Sequence, residues 1–183
     1  MYEEIELIKD VASRLEKAGI QYMMTGSMAM AIYSTPRMTR DIDMVIQVAT
    51  EDIGKIVNLF RDDCYIDETS VRQAVQNQGM FNIIHNESVI KVDFIVRKNE
   101  EYRTPEFSRR QQIEIEGVSI SVVSPEDLIL SKLVWAKQSN SELQLRDVRQ
   151  MVAVLKDLDN DYLKRWSGEL GVEDLLREVQ ENE

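Results

Sequence analysis

The sequence predicts an α+β fold, in which a mixed β-sheet flanked by helices is followed by a C-terminal helical segment. Two observations indicate this class. Up to residue 123, short apolar runs alternate with amphipathic segments, whereas the pattern from residue 124 onward is wholly helical. No Gly/Pro-rich linker separates the two parts. We therefore expect a core over residues 1–123 and a helical segment over 124–183 that closes a cleft against it.

The helices of the first part are predicted from their apolar periodicity and their end signals. Apolar residues recur at spacings of three and four from residue 2 to residue 18, and Gly19 ends this helix. Pro36 keeps the helix after Gly26-Ser27 short. The predicted helices cover residues 2–18, 28–33, 50–61 and 71–76.

The strands are predicted from short apolar runs and from alternating polarity. Residues 41–48 are mostly apolar and have the composition of a buried strand. Gly117 separates two segments that alternate in polarity, which is typical of a hairpin. The predicted strands cover residues 21–25, 41–48, 80–85, 89–96, 112–116 and 118–123.

The C-terminal helices begin at a clear start signal. Ser124 can cap the first of them, Pro125 suits its first turn, and two acidic residues follow. Tyr162 and Trp166 lie four residues apart and are expected to pack the terminal helices together. The predicted helices cover residues 125–138, 142–156, 162–169 and 172–179.

The composition is that of a folded acidic protein. Of the 183 residues, 43% are hydrophobic and 30% charged. The formal net charge of -11 argues against a surface built for general nucleic-acid binding, although it leaves room for a local basic groove. No apolar run is long enough for a membrane helix, and the acidic start differs from a signal peptide. Because Cys64 is the single cysteine, an internal disulfide is excluded and a cytoplasmic location without membrane partners is expected.

Three aspartates inside predicted strands give the clearest chemical signal. Asp41 and Asp43 are separated by one residue, so their side chains point to one face of a strand, and Asp93 can join them from a neighbouring strand. Aspartate is depleted in strands, and a buried unpaired carboxylate is costly. They could be solvated or capping groups at a strand end. A shared cation explains all three, and carboxylate oxygens favour Mg²⁺ or Mn²⁺.

The order of these residues resembles the polymerase-β-type nucleotidyltransferase signature, which combines a Gly-Ser turn, an Asp-x-Asp pair and a later lone carboxylate. Gly26-Ser27 is followed, after thirteen residues, by Asp41-Ile42-Asp43, and Val92-Asp93-Phe94 lies further along. The resemblance covers residues 22–96. It implies a nucleotidyltransferase-type sheet flanked by helices.

The same resemblance implies a role for each motif residue. Asp41 and Asp43 would bind the metal ions, and Asp93 would complete the site as a metal ligand or as the base for the attacking hydroxyl. Gly26, Ser27 and the adjacent backbone N–H groups would hold the phosphates of an NTP, because a helix N-terminus favours anions.

Two arginines lie directly before the Asp-x-Asp pair. Arg37 and Arg40 either balance the charge of the aspartates or clamp the phosphates of a nucleotide. The planar guanidinium group suits the second role, and Arg40 is nearer to the aspartates.

The tail resembles that of AbiEii-type and related stand-alone bacterial nucleotidyltransferases, several of which are toxins of toxin–antitoxin systems. The resemblance lies in residues 124–133 and in Leu145-Arg146-Asp147-Val148. It implies that Lys132 and Asp147 reach back into the active site as catalytic residues. That family commonly has a second acid three residues after the aspartate, whereas this chain has Gln150.

Simpler interpretations of Lys132 and Asp147 are also open. Lys132 lies between leucines on an amphipathic helix, so its stem could cover the core while its ammonium group stays in water. The two residues could also form a surface ion pair between helices, which would contribute ~1 kcal/mol or less.

Three functions are compatible with these observations. The first is metal-dependent transfer of a nucleoside monophosphate from an NTP to a hydroxyl of an RNA end or a protein, with an antitoxin as a partner. The second is the same transfer to a small molecule of the aminoglycoside kind. The third is a non-catalytic module on the same fold that senses nucleotides or binds a partner as an antitoxin does.

Overall fold

The computed structural model describes residues 2–35, 39 and 41–181. Arg37 and Arg40, the predicted phosphate clamp, lie outside these residues. In the described part the chain forms one seven-stranded sheet with the strand order β3-β4-β5-β2-β1-β7-β6. The strands are β1 Gln21–Thr25, β2 Asp41–Gln47, β3 Cys64–Ile66, β4 Met80–His85, β5 Lys91–Val96, β6 Gln111–Ile115 and β7 Val118–Val122.

The helices surround this sheet and dominate the C-terminal part. They are α1 Tyr2–Lys17, α2 Gly26–Tyr33, α3 Ile53–Phe60, α4 Glu68–Asn77, α5 Arg103–Ser108, α6 Pro125–Ser139, α7 Glu142–Val154, α8 Asn160–Glu169 and α9 Glu173–Glu181. The predicted class, a mixed sheet flanked by helices with a helical C-terminal part, is confirmed. None of the described helices combines the length and the apolar composition needed to cross a membrane.

The sheet is mixed, and its centre is parallel. β2 pairs with β5 in parallel and with β1 in antiparallel orientation, and β1 pairs in parallel with β7. One face of β2 carries three fully buried apolar side chains, those of Ile42, Met44 and Ile46. The rings of Phe60 on α3 and Phe94 on β5 lie 5.5 Å apart on this side. This face is therefore the packed one, and Asp41 and Asp43 alternate onto the other.

The helices of the other face come from both ends of the chain. α2 contacts β2 and also packs against α6 and α7. Leu128 and Lys132 of α6 line one cavity together with Asp43, so this helix of the C-terminal segment approaches the sheet on the side of the aspartates. The predicted division at residue 123 stays a prediction. One continuous hydrophobic core includes residues from both parts.

The structure differs from the sequence prediction at three short elements. The edge strand β3 and the helix α5 were not predicted, and the first turn of the predicted helix 50–61 is a 3₁₀ turn over Thr50–Asp52. β3 has three residues, too few to show a repeating pattern, and α5 has six. β3 and α5 depend on contacts with neighbouring parts of the chain, and sequence periodicity within a short segment does not predict such contacts.

A buried aspartate ties the C-terminal helices to the core. Asp127 Oδ1 accepts hydrogen bonds from the hydroxyl groups of Tyr102 at 2.9 Å and Tyr162 at 2.8 Å. Its Oδ2 accepts from Ser124 Oγ at 2.6 Å and from Arg109 Nε at 3.2 Å. Because these donors come from four places in the chain, this hub fixes α6 and α8 to the segment that follows β5.

Candidate active site

The strand register brings the three predicted carboxylates to one face of the sheet. In the parallel pair of β2 and β5, Asp43 lies opposite Asp93, and Asp41 lies opposite Lys91. β1 places Thr25 opposite Asp43 from the other side. The turn after β1 therefore meets the carboxylates, which is the arrangement expected from the order of the motifs.

Gly26 is the residue that makes this approach sterically feasible. It has a φ of +67°, a left-handed conformation that side chains rarely adopt. A Cβ atom at this position would lie 2.0 Å from Asp43 Oδ2. Glycine is therefore required both by the backbone conformation and by the carboxylate. Ser27 follows it, buried in the first turn of α2.

Burial and like charges raise the pKa of Asp43 to about 6. Loss of hydration is the largest cause, followed by the carboxylates of Asp93 and Asp41. The ammonium groups of Lys91 and Lys132 act in the opposite direction. The site is thus short of positive charge at neutral pH, which favours binding of a cation.

Lys91 supplies part of this positive charge. Its Nζ lies 2.8 Å from Asp93 Oδ2 and 3.8 Å from Asp41 Oδ1. The hydrogen bond to Asp93 raises the pKa of Lys91. Sequence reasoning missed this residue, although its position two before Asp93 on the same strand puts it on the same face.

The oxygen ligands that these residues offer fit a divalent cation. In residues 2–35, 39 and 41–181, no group of three His, Cys, Asp or Glu is arranged to hold a metal ion. However, Asp93 Oδ1 is buried and has no hydrogen-bond partner within the described chain, and it belongs to the residue paired with Asp43. Two adjacent carboxylates suit a hard cation. The assignment of Asp41, Asp43 and Asp93 as metal ligands stays a prediction.

Lys132 and Asp147 form a buried ion pair between α6 and α7. Lys132 Nζ lies 2.7 Å from Asp147 Oδ2 and donates to Gln144 Oε1 at 3.0 Å. The side chains are 3% and 0% exposed, so the pair is neither a surface pair nor a lysine reaching into water. The charge of Lys132 also lowers the pKa of Asp43, although less than the other groups that act on it.

A cleft with a volume of about 250 Å³ runs from Asp43 along the sheet, between β2 and β5 on one side and α5 and α6 on the other. We call it the Trp135 cleft after its most exposed large apolar side chain, which is 53% exposed. Among the hollows found in the described chain, those of about 370 and 500 Å³ lie among the C-terminal helices, away from the carboxylates. Sequence reasoning missed the lining residues Arg97, Arg103, Glu106 and Trp135.

Comparison with known proteins agrees with this geometry. Residues 12–177 match the family described as the nucleotidyl transferase AbiEii toxin of a type IV toxin–antitoxin system. No curated protein matches the sequence significantly.

Several solved structures share the fold. An antigenic nucleotidyltransferase-like protein from Paracoccidioides brasiliensis is 20% identical over 98% of this chain and 88% of that one, with a TM-score of 0.65. A putative nucleotidyltransferase from Thermotoga maritima is 18% identical over 91% and 94%, with a TM-score of 0.54. The lincosamide antibiotic adenylyltransferase LnuA, bound to lincomycin, is 13% identical over 85% and 98%, with a TM-score of 0.55.

At these identities, similarity to solved structures concerns the fold alone, and the family match carries the assignment. Since the match spans most of the sequence and the fold agrees with it, the chain is a nucleotidyltransferase that belongs to the AbiEii family.

Proposed function

We propose that the chain moves a nucleoside monophosphate from an NTP to a hydroxyl acceptor, releases pyrophosphate and depends on Mg²⁺ or Mn²⁺. The observation that carries this proposal is the parallel register that sets Asp43 beside Asp93 at the turn made by Gly26. In the proposed reaction the acceptor oxygen bonds to the α-phosphorus. The bond from that phosphorus to the oxygen of the β-phosphate breaks, and pyrophosphate leaves.

Each group around the carboxylates has a proposed task. Asp41 and Asp43 hold the divalent metal. Asp93 either joins them as a metal ligand or accepts the proton of the acceptor hydroxyl. Gly26, Ser27 and the N–H groups at the start of α2 hold the phosphates. When bound, the metal neutralises the charge that develops on the attacking and leaving oxygens. Arg37 and Arg40 remain the predicted phosphate clamp.

The buried ion pair supports a phosphate-binding role for Lys132. Lys132 lines the Trp135 cleft together with Asp43, and we place the phosphates of the nucleotide beside these two residues. Asp147 is a positioning residue in this proposal, because it holds Lys132 at 2.7 Å from its own carboxylate. A fixed cation stabilises the transition state without reorganising during the reaction.

The family supports a toxic activity, and we propose an RNA end or a protein hydroxyl as the acceptor. Its description names a toxin of a type IV toxin–antitoxin system, and we propose an antitoxin as the partner of this chain on that basis.

A small-molecule acceptor is the second candidate. The fold is shared with LnuA bound to lincomycin and with ANT(2")-Ia in complex with adenylyl-2"-tobramycin. The lining of the Trp135 cleft weighs against a polycationic aminoglycoside in that cleft, because Arg97, Lys98, Arg103 and Lys132 outnumber the carboxylates of Asp43 and Glu106.

The non-catalytic alternative makes a different prediction. A module that senses nucleotides or binds a partner would not need a carboxylate with a raised pKa beside two further aspartates. The clustering of Asp41, Asp43 and Asp93 therefore favours catalysis.

The test is a transfer assay with α-³²P-labelled NTPs. Each of the four nucleotides is incubated with the purified protein and Mg²⁺ or Mn²⁺, in the presence of total RNA, of a protein extract or of lincomycin and tobramycin. Asp43→Asn is the inactive variant, and Asp157→Asn, at an exposed carboxylate, is its matched control.

Label on one acceptor, retained in Asp157→Asn and lost in Asp43→Asn, supports the proposal and names the acceptor class. Label that persists in Asp43→Asn would show that these carboxylates do not carry the reaction. Absence of transfer with every acceptor, together with nucleotide binding that survives in Asp43→Asn, would favour the non-catalytic module.

A further inference from the structure

One wall of the Trp135 cleft is formed by an aromatic side chain, which is not required for binding phosphates. Trp135 lies on α6 three residues after Lys132, so both side chains lie on the same side of the helix. The indole is 53% exposed although it borders a concave space that contains Asp43. A large aromatic group left exposed inside a cleft beside a polar site is typical of a ligand-binding surface.

Arg97, on the opposite side of the cleft, is a cationic side chain that forms no ion pair with a described carboxylate. Arg103 pairs with Glu106 at 2.8 Å, and Lys98 lies 3.7 Å from Glu100. Among the described residues, no carboxylate lies within ion-pair distance of Arg97. Its Nη1 donates to Thr104 Oγ1 at 3.3 Å, and its Nε is buried without a hydrogen-bond partner in the described chain. Arg97 can therefore donate to acceptor atoms of a ligand.

These features describe a site for a flat group that carries hydrogen-bond acceptors and is attached to an anion. Aromatic side chains stack on nucleobases of any sequence, and arginine donates to base edges. Lys132 and Asp43 also line this cleft, and the proposed reaction holds the phosphates beside them.

We propose, building on the proposed function, that the base of the donor NTP stacks on Trp135 with its edge toward Arg97. Trp135 is then a nucleotide-binding residue, and the cleft between the sheet and α6 is the nucleoside site. The base of an RNA acceptor is the competing occupant, and binding experiments distinguish the two.

The first experiment measures dissociation constants by calorimetry for ATP, GTP, CTP and UTP with Mg²⁺. Trp135→Ala is expected to weaken the nucleotide that binds best by about 5- to 100-fold, because it removes one stacked base. Trp135→Phe keeps an aromatic face and should restore most of the affinity. Val154→Ala, at a residue that is 55% exposed on α7, is the control for loss of an exposed apolar side chain.

Inorganic tripolyphosphate serves as the matched ligand without a base. Its affinity should be equal in the wild type and in Trp135→Ala, since the phosphate site is unchanged. Fluorescence gives an independent readout, because Trp166 is 7% exposed whereas Trp135 is 53% exposed. The best-binding NTP should protect the wild-type fluorescence from quenching by acrylamide, and tripolyphosphate should not.

Wild-type affinity of Trp135→Ala for all four NTPs would overturn the inference. Equal weakening of NTP and tripolyphosphate would also overturn it, because the variant would then disturb the phosphate site. Unchanged NTP affinity with weakened binding of an RNA oligonucleotide would assign the cleft to the acceptor instead. If NTP binding depends on Trp135 as expected but no acceptor is labelled, the proposed transfer fails while the nucleoside site stands.

Discussion

At the scale of single residues, the turn between β1 and α2 requires a glycine at position 26. The left-handed backbone of Gly26 would strain any other residue, and its Cβ would overlap Asp43 Oδ2. Gly19 has almost the same φ, +68°, but no atom lies within 4 Å of a Cβ built there. Comparing substitutions at Gly19 and Gly26 therefore separates the effect of backbone strain from the effect of contact with the Asp43 carboxylate.

Gly19→Ala should lower the free energy of unfolding by about 1 to 2 kcal/mol, which is the cost of the left-handed conformation, and should leave transfer unchanged. Gly26→Ala should lower the free energy of unfolding by more than Gly19→Ala does. It should also reduce transfer about 100-fold, because Asp43 is displaced. Urea unfolding and the labelled-NTP assay measure the two effects. Equal activity of the two variants would show that the close approach of Gly26 to Asp43 does not matter.

The raised pKa of Asp43 predicts a pH-dependent gain in stability for Asp43→Asn. The folded-state pKa of about 6 lies above the unfolded value of about 3.9, so the ionised carboxylate lowers the free energy of unfolding above pH 6. This penalty disappears as the pH falls through the folded pKa and is gone below about pH 4. In metal-free buffer the variant should be more stable than the wild type by about 3 kcal/mol at pH 7, and nearly equal to it at pH 4.

Urea unfolding of both proteins at the two pH values measures this difference, and Asp157→Asn corrects for loss of an exposed charge. A gain of the same size at pH 7 and pH 4 would exclude ionisation of Asp43 as its cause.

At the scale of elements, the sequence identifies strands more readily than their partners. The bounds of β1 and β4 equal the predicted ones, and alternation placed Asp41 and Asp43 on one face. The expectation that Asp93 joins them from a neighbouring strand agrees with the pairing of β2 and β5, but alternation alone does not give the orientation or register of that pairing, because parallel pairing joins distant segments and depends on how the intervening helices pack. Lys91 was within reach of the same alternation argument.

The C-terminal part shows the same limit. Lys132 and Asp147 were identified from resemblance. That they form an ion pair in which Asp147 is fully buried depends on how α6 and α7 pack together. Trp135 follows Lys132 at helical spacing, yet no pattern says that a cleft forms there. Burial and concavity are properties of packed elements, which periodicity within one element does not contain.

The buried pair between α6 and α7 predicts different effects for single and double variants. Asp147→Asn should lower the free energy of unfolding by about 3 to 5 kcal/mol, because the charge of Lys132 stays buried without its counterion. Lys132→Met combined with Asp147→Leu should restore most of the stability, since both buried charges are removed. The double variant should still lack transfer if Lys132 binds phosphate. Transfer by a stable double variant would reduce the pair to a structural role.

At the scale of the whole molecule, the balance of charges in the cleft is opposite to that of the chain. The formal net charge is -11, but the Trp135 cleft has four cationic side chains and two carboxylates. This contrast favours an anionic ligand in the cleft over general binding of nucleic acid on the outside. An RNA acceptor would consequently be held at its end rather than along its length.

The whole molecule is also expected to unfold in one step, although the sequence predicts a division at residue 123. Asp127 connects α6 and α8 to Tyr102, and the ring of Trp166 on α8 lies 5.1 Å from that of Tyr102. The hydrophobic core continues from α1 to α9. Separation of the two parts would expose this core and leave the carboxylate of Asp127 short of partners.

Urea unfolding followed by tryptophan fluorescence and by far-ultraviolet circular dichroism should therefore give coincident transitions. Trp166 reports on contact between α8 and the core, whereas the dichroism reports on all helices and strands. Tyr162→Phe, which removes one hydrogen bond to Asp127, should shift both transitions together by about 1 kcal/mol. A fluorescence transition at lower urea than the dichroism transition would instead show that the segment after residue 123 unfolds as a separate domain, and would support the division that the sequence predicts.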